Sequence, residues 1–340
     1  MLPVLDLSDY RADPTSERAG AFVQQLREVC HGPGFFYLVG HGVEPQYDRQ
    51  TLAVANRFFN LPLAEREALA IANSAHFRGY TLLESEMTNG RFDWRDQIDI
   101  GPEEPALNMS ADDPPWLRLR GPNQWPGSLP DMRQVVDDWM QQIHPVGMAL
   151  MQALAQGLGQ AADYFDARMS PDAYTRVKII RYPAQPDADG SGQGLGLHHD
   201  SGIMTFILQD EVPGLQVMSE GKLVDVEPYP GAYVINLGEM MQSATNGYLR
   251  ATKHQVVSPP AGKQRISVAY FMNPRLDAEF NALELPAELA TAATGGQNTD
   301  AKDRVYSTFG ANTLKIRMRA HPDVTAKHYA GVNLDDFSQR

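Results

Sequence analysis

The sequence predicts a mainly β core, a double-stranded β-helix (jelly roll), with flanking α-helices, and three observations predict it. From Arg176 onward the chain divides into short apolar runs bounded by turn residues. Upstream of that point apolar residues recur at helical spacing. The third observation is Gly196-Leu197-His198-His199-Asp200, followed by His254 and then by Arg265-Ile266-Ser267. Ligand-type side chains on strands need facing strands on which to converge, and a jelly roll supplies inward-pointing positions on both of its sheets.

The elements follow in order. Residues 16–31 read as a helix, with Phe22, Val23, Leu26, Val29 and Cys30 on one face and Gly32-Pro33-Gly34 as the stop. Residues 35–39 form a short apolar strand, and Leu52, Ala55, Phe58 and Phe59 mark a second helix ended at Leu61-Pro62. From about 76 to 126 periodicity is lost, and so long a connection is expected to be irregular and to cover the mouth of the barrel. A helical pattern spans 131–158, with a kink or break expected at Pro145, whose ring removes a backbone hydrogen bond. Residues 203–208, 215–217, 232–237, 251–257 and 265–271 read as strands. Residues 278–300 read as partly helical and then loop, and 306–329 as partly helical, with His321 and His328 on the surface.

Residues i and i+2 of a strand share a face, so His198 and Asp200 can meet one metal while His199 points away as a structural wall residue. Two histidines and one carboxylate, here His198, Asp200 and His254, make the facial triad of non-haem iron(II), which leaves three metal positions open. Ser258-Pro259-Pro260-Ala261-Gly262-Lys263 reads as a hairpin connection between the last two strands. A turn centred near Pro260 sets His254 roughly opposite Ser267 and Val256 opposite Arg265, and opposed residues share a face. Arg265 suits bidentate capture of a carboxylate, and Ser267 adds a donor beside it.

Composition bounds the function. With 340 residues, 43% of them hydrophobic, the chain can bury a large core. One cysteine, Cys30, excludes an intramolecular disulfide framework and suits a reducing cytoplasm; on its helix it reads as a small buried hydrophobe. No basic and apolar leader opens the sequence and no 18-residue uncharged apolar run occurs, so neither secretion nor a membrane span is expected. A formal charge of −13 opposes binding to phosphate backbones, which sets nucleic-acid substrates aside. Nothing in the chain specifies an oligomeric state.

Taken together these residues resemble the isopenicillin N synthase-like iron(II)/2-oxoglutarate-dependent dioxygenases, almost end to end. The resemblance is carried by Pro3-Val4-Leu5-Asp6-Leu7, by Gly34 to Val43 with its Gly40-His41-Gly42, and by Phe77-Arg78-Gly79-Tyr80. It continues through Asn123-Gln124-Trp125-Pro126, Arg181-Tyr182-Pro183, the block from His198 to Gln209, and the block from Arg265 to Phe271. It implies that His198, Asp200 and His254 hold iron(II). It further implies that Arg265 and Ser267, with Tyr182 at the same end, bind the distal carboxylate of the co-substrate 2-oxoglutarate, and that Phe271 forms an aromatic wall. The implied reaction consumes dioxygen, yields succinate and carbon dioxide, and hydroxylates a small organic substrate, with desaturation or ring closure as variants. Isopenicillin N synthase itself also has the Arg-x-Ser pair and uses it for its peptide substrate, so the pair indicates a bound carboxylate without assigning it. The alternatives are an oxidase of that kind that uses no 2-oxoglutarate, a zinc hydrolase, and a metal-free jelly-roll binding protein. Arg78, Tyr80 and Arg95, from the irregular segment, join Phe271 as candidate substrate contacts.

The expected organisation has four parts. Residues 1–125 form an N-terminal oxygenase region with substrate-side loops, and 126–170 a long supporting helix. Residues 171–280 form the jelly-roll core for iron and 2-oxoglutarate, and 281–340 a C-terminal helical extension.

Overall fold

A computed structural model of the chain describes residues 2–110, 112–184, 193–295 and 306–337. Its strands sort into two facing sheets and one small hairpin. The larger sheet has, in spatial order, Val4–Asp6 (β1), Phe35–Val39 (β2), Tyr233–Leu237 (β12), Met204–Gln209 (β9), Gln264–Met272 (β14), Arg176–Pro183 (β7), Asp96–Ile100 (β6) and Gly79–Thr81 (β3). The smaller has Lys222–Asp225 (β11), Leu215–Ser219 (β10), His254–Val257 (β13) and Gln193–His198 (β8). Met87–Thr88 (β4) and Arg91–Phe92 (β5) form the hairpin. Apart from the parallel pair β1 and β2, neighbours in the sheets are antiparallel. This is the expected jelly roll with flanking helices.

Strand parity divides the large sheet between two environments. Val177 and Ile179 of β7, Phe206 and Leu208 of β9, and Ile266, Val268 and Tyr270 of β14 join the main core. The long helix Met132–Gly157 packs on that outer side, where the buried Trp139 meets Tyr233 and Tyr270 at ring-centroid distances of 6.4 and 6.1 Å. Truncating so large a buried side chain to alanine costs roughly 3–5 kcal/mol. The alternate residues face the small sheet, where Ile180, Tyr182, Ile207 and Val234 pack with Leu195, Leu215, Val217 and Val256. The inter-sheet space is therefore apolar in part, and the rest of it carries the polar site.

Several sequence expectations are corrected. The last two strands form no hairpin: β13 pairs with β8 and β10, and β14 with β7 and β9. Residues 258–263 carry the chain from one sheet to the other. His254 thus stands opposite His198 and Val217, and Arg265 opposite Tyr182. Sheet-on-sheet packing brings His254, Arg265 and Ser267 to line one cavity.

The segment 76–126 is also more regular than expected, since β3 and β6 extend the large sheet and β6 is buried at every position. Its carboxylates are matched by buried and half-buried partners: Asp96 accepts from Arg66 at 2.8 Å and from both Nε and Nη2 of Arg181 at 2.9 and 2.7 Å, and Asp99 accepts from Arg317 at 2.9 Å. The helix Met132–Gly157 runs unbroken through Pro145. Pro145 and Gln141 are both exposed, so the Gln141 carbonyl that loses its donor is solvated.

The helix Glu17–His31 begins as expected, with Ser16 Oγ accepting from the Ala19 amide at 3.1 Å, and buries Cys30. At the C-terminal end, His321 is buried with Nε2 3.3 Å from Glu86, and His328 is half-buried against the Ala72 carbonyl, so neither is a surface residue. Of the expected loop after the helix Ala287–Ala292, residues 296–300 lie outside the described residues. Among the described residues no helix is long and apolar enough to cross a membrane.

Candidate active site

β8 ends at His198, so Asp200 lies beyond the strand, and the i, i+2 relation operates across the strand's end instead of within it. Backbone hydrogen bonds fix that turn: the Glu239 amide donates to the Asp200 carbonyl at 2.7 Å and the Gly238 amide to the Ile203 carbonyl at 3.0 Å. The approach is close enough that a Cβ on Gly238 would sit 2.3 Å from the Gly202 carbonyl oxygen. His198 and His254 are directly opposed across β8 and β13, with ring centroids 4.3 Å apart.

The Nε2 atoms of His198 and His254 lie 3.7 and 3.9 Å from Asp200 Oδ1. The other ring nitrogen of each faces a backbone carbonyl, His198 Nδ1 that of Gly196 at 2.9 Å and His254 Nδ1 that of Thr252 at 3.2 Å. An Nδ1–H donating there leaves Nε2 as a bare lone pair. Asp200 Oδ2 accepts from Thr205 Oγ1 at 2.5 Å and Asn236 Nδ2 at 2.7 Å, which leaves Oδ1 for the cluster.

Burial, with His254 beside it, pushes His198 down to about 3, so its imidazole is neutral at neutral pH. Burial works against the Asp200 carboxylate, but His254, His198 and the two hydrogen bonds outweigh it and hold its pKa below the ordinary value. Two imidazoles and a carboxylate are the donor set of a non-haem iron(II) site. Donors each at roughly 2.1 Å from one ion stand at most about 4.2 Å apart, and the separations of 3.7 and 3.9 Å fall inside that limit. The residues fit the metal. His199 reaches the cavity wall but stays outside this cluster, with Nδ1 against the Ala251 carbonyl at 2.7 Å.

A cavity of about 420 Å³ runs from this cluster to Arg265, between the sheets. Arg265 is 1% exposed; Nη2 donates to Gln209 Oε1 at 2.8 Å, and its guanidinium stands 5.2 Å from the Tyr182 ring centre. Nε and Nη1 are buried with no hydrogen-bond partner. Burial lowers the pKa of this guanidinium, and such a group is unfavourable until an anion meets it. Ser267, Tyr182, Phe271 and Arg95 line the same cavity. Arg95 Nη2 lies 2.6 Å from Glu86 and 3.6 Å from Asp93.

Arg78 and Tyr80 do not reach the cavity, which corrects their assignment as substrate contacts. Arg78 is buried against the Tyr174 ring at 5.1 Å, neither solvated nor in the site. Tyr80 donates its hydroxyl to Asp96 at 2.7 Å on the outer side of β6. The sequence reading missed Thr205, Asn236 and Gln209, which hold Asp200 and Arg265, and Arg176 and Lys178, which line the cavity from β7. The signal for the last two was parity, because they alternate with Val177 and Ile179 on the face that Tyr182 shares.

Residues 2–128 match the family described as the N-terminal region of non-haem dioxygenases in morphine synthesis, and 172–274 match the 2OG-Fe(II) oxygenase superfamily. A 2-oxoglutarate-dependent dioxygenase, frbJ of Dothideomycetidae sp. (strain 11243), is 32% identical across 96% of this chain and 91% of its own. The chain belongs to the iron(II)/2-oxoglutarate-dependent dioxygenases. It is an oxidoreductase that uses iron(II), 2-oxoglutarate and dioxygen. A homoarginine-6-hydroxylase of Glycine max is 30% identical across 90% of this chain and 93% of its own. A protein of Neurospora crassa, in a crystal structure with alpha-KG and thymine, superposes with a TM-score of 0.74 over 94% of this chain and 96% of that one; at 22% identity this likeness concerns the fold.

Proposed function

We propose that His198, Asp200 and His254 hold the iron, that Arg265, Ser267 and Tyr182 hold the distal carboxylate of 2-oxoglutarate, and that the enzyme hydroxylates a small organic metabolite. The observation that carries this reading is Arg265: a buried guanidinium with two unpartnered nitrogens, in the same cavity as the three ligand atoms. Iron and 2-oxoglutarate, when bound, supply the oxidising chemistry, with succinate and carbon dioxide as co-products.

The chain's own contribution is positional. The Gly196 and Thr252 carbonyls set the tautomer and tilt of the two imidazoles, while Thr205 and Asn236 fix which Asp200 oxygen faces them. Arg265 orients a five-carbon diacid so that its keto end points toward the triad. Ile180, Ile207, Leu215 and Val256 line the path between and keep it dry. Phe271 and Arg95 form the wall that a primary substrate meets. A lone, free and buried cysteine, Cys30, fits a reducing cytoplasm.

Anaerobic addition of 2-oxoglutarate to the iron(II)-loaded protein tests this reading. The expected result is the weak visible charge-transfer band of a chelate. No band, together with no 2-oxoglutarate binding by calorimetry, would move the triad and Arg265 to an oxidase whose own substrate carries the carboxylate.

A further inference from the structure

The wall of the cavity formed by β7, the β4–β5 hairpin and the helix Phe309–Ala320 holds a cluster of buried charge that the metal and 2-oxoglutarate do not use. Arg95, Arg176, Lys178 and Arg317 face the carboxylates Glu86, Asp93 and Asp99. Arg95 closes on Glu86 and Asp93; Arg317 and Arg176 share Asp99, at 2.9 and 3.3 Å. Lys178 is left over. Its side chain is 12% exposed and its ammonium has no hydrogen-bond acceptor among the described residues. The nearest carboxylate oxygen, Glu86 Oε1 at 3.9 Å, also meets His321 Nε2 and Gln97 Nε2, each at 3.3 Å. Arg176 Nε is buried without a partner as well.

His321 does not change this balance, since burial, with Arg317 next to it, pushes it down to about 4 and leaves it neutral. Burial lowers the Lys178 ammonium to about 8, only partly offset by Asp99 and Glu86. An interior cation that outnumbers its carboxylates is tolerated where a counter-ion arrives.

That counter-ion is not the distal end of 2-oxoglutarate. On β7 Lys178 stands four residues from Tyr182, the register partner of Arg265, which is roughly 13 Å along a strand. The space beside Lys178 is amphipathic. Phe271 lies under the Arg176 guanidinium at 4.4 Å, and Met87 and Phe92, paired across the hairpin and 59% and 57% exposed, line the mouth of the same cavity.

We propose that the primary substrate carries a carboxylate, bound by Lys178 with Arg176 beside it, and an apolar body that lies against Phe271, Met87 and Phe92. This rests on reading the Arg265 end of the cavity as the 2-oxoglutarate site.

The test titrates the anaerobic iron(II)·2-oxoglutarate protein with hexanoate and 3-phenylpropanoate, each against its primary amide, and reads the shift of the visible charge-transfer band at saturating 2-oxoglutarate. Each acid should perturb the band at a concentration at least ~10-fold lower than its amide, as a charge-assisted contact to a buried ammonium requires. Lys178→Met should abolish that preference, and Lys178→Arg, which keeps the charge, should retain it. An equal or absent response to acid and amide in the wild-type protein, or a preference that survives in Lys178→Met, overturns the proposal. The band itself separates the two readings: if it never forms in the wild-type protein, the 2-oxoglutarate assignment fails and this proposal falls with it, whereas a band that forms without an acid preference overturns this proposal alone.

Discussion

Replacing Arg265 with methionine should move two quantities in opposite directions. Without co-substrate, the guanidinium is buried with Nε and Nη1 unpartnered and a single hydrogen bond to Gln209. A buried polar group left unsatisfied costs about 1–3 kcal/mol, whereas methionine keeps most of the stem and buries no charge. The unliganded variant should therefore be as stable as wild type or more so by up to ~1–2 kcal/mol, with the orphaned Gln209 carbonyl setting the lower end. With 2-oxoglutarate the sign reverses. Two charge-assisted hydrogen bonds at about 1.5–3 kcal/mol each amount to a loss of roughly 100-fold or more in affinity. At a concentration 100 times the wild-type dissociation constant, binding stabilises the wild-type protein by about 2.7 kcal/mol, and a 100-fold weaker variant by only ~0.4 kcal/mol. Thermal denaturation of both iron(II)-loaded proteins under anaerobic conditions, with and without 2-oxoglutarate, reads both effects. An equal 2-oxoglutarate-induced rise in Tm for the two proteins would show that the guanidinium serves the primary substrate or the structure.

The other predictions follow from the same contacts. His198→Ala should abolish iron binding, while His199→Ala, outside the cluster and held by the Ala251 carbonyl, should retain it; metal analysis of the folded variants decides, and comparable loss in both removes the ligand assignment. Asn236→Leu removes one of two donors to Asp200 Oδ2 and should lower iron affinity about 10–100-fold; an unchanged affinity by competition titration would reduce Asn236 to a packing role. Stability should fall as pH drops from about 6.5 to about 4, because the unfolded chain protonates His321 at its ordinary pKa while the folded protein resists until about 4. That contribution, present in full above pH 6.5, amounts to about 3 kcal/mol, and His321→Gln should flatten the slope of unfolding free energy in that window; an unflattened slope would assign the acid sensitivity elsewhere.

Much of the fold was legible because its strands keep strict alternation. β14 reads Arg265, Ser267, Ala269 and Phe271 on one face and Ile266, Val268, Tyr270 and Met272 on the other; that alternation specifies a strand with an apolar face to the core, and the opposite face is buried too because it lines the cavity. Two features resisted for different physical reasons. The run Ser258 to Lys263 has turn chemistry, but turn chemistry is local; whether the next strand pairs with the last or joins the opposite sheet is decided by packing. β6 reads Asp96-Gln97-Ile98-Asp99-Ile100, which looks like a polar loop because strand propensity reflects a half-buried apolar surface. Its charges are matched from Arg66, Arg181 and Arg317, so what makes it a strand is distributed along the chain.

The same limit separates residues that build the protein from residues that wait for a ligand. On β7, Arg181 and Lys178 are both basic residues of one strand, and no local rule distinguishes their tasks. Arg181 lies on the outer face and spends Nε and Nη2 on Asp96. Lys178 lies on the inner face with its nearest carboxylate at 3.9 Å. Parity says which side of the sheet a cation occupies, and the sequence supplies parity. Whether the cation is already satisfied depends on how many anions reach it from β6 and the helix Phe309–Ala320. A buried base with its hydrogen bonds complete is part of the scaffold; one with them incomplete, in a cavity it shares with His198, Asp200 and His254, is where the proposed carboxylate contact puts the remaining specificity of this oxygenase.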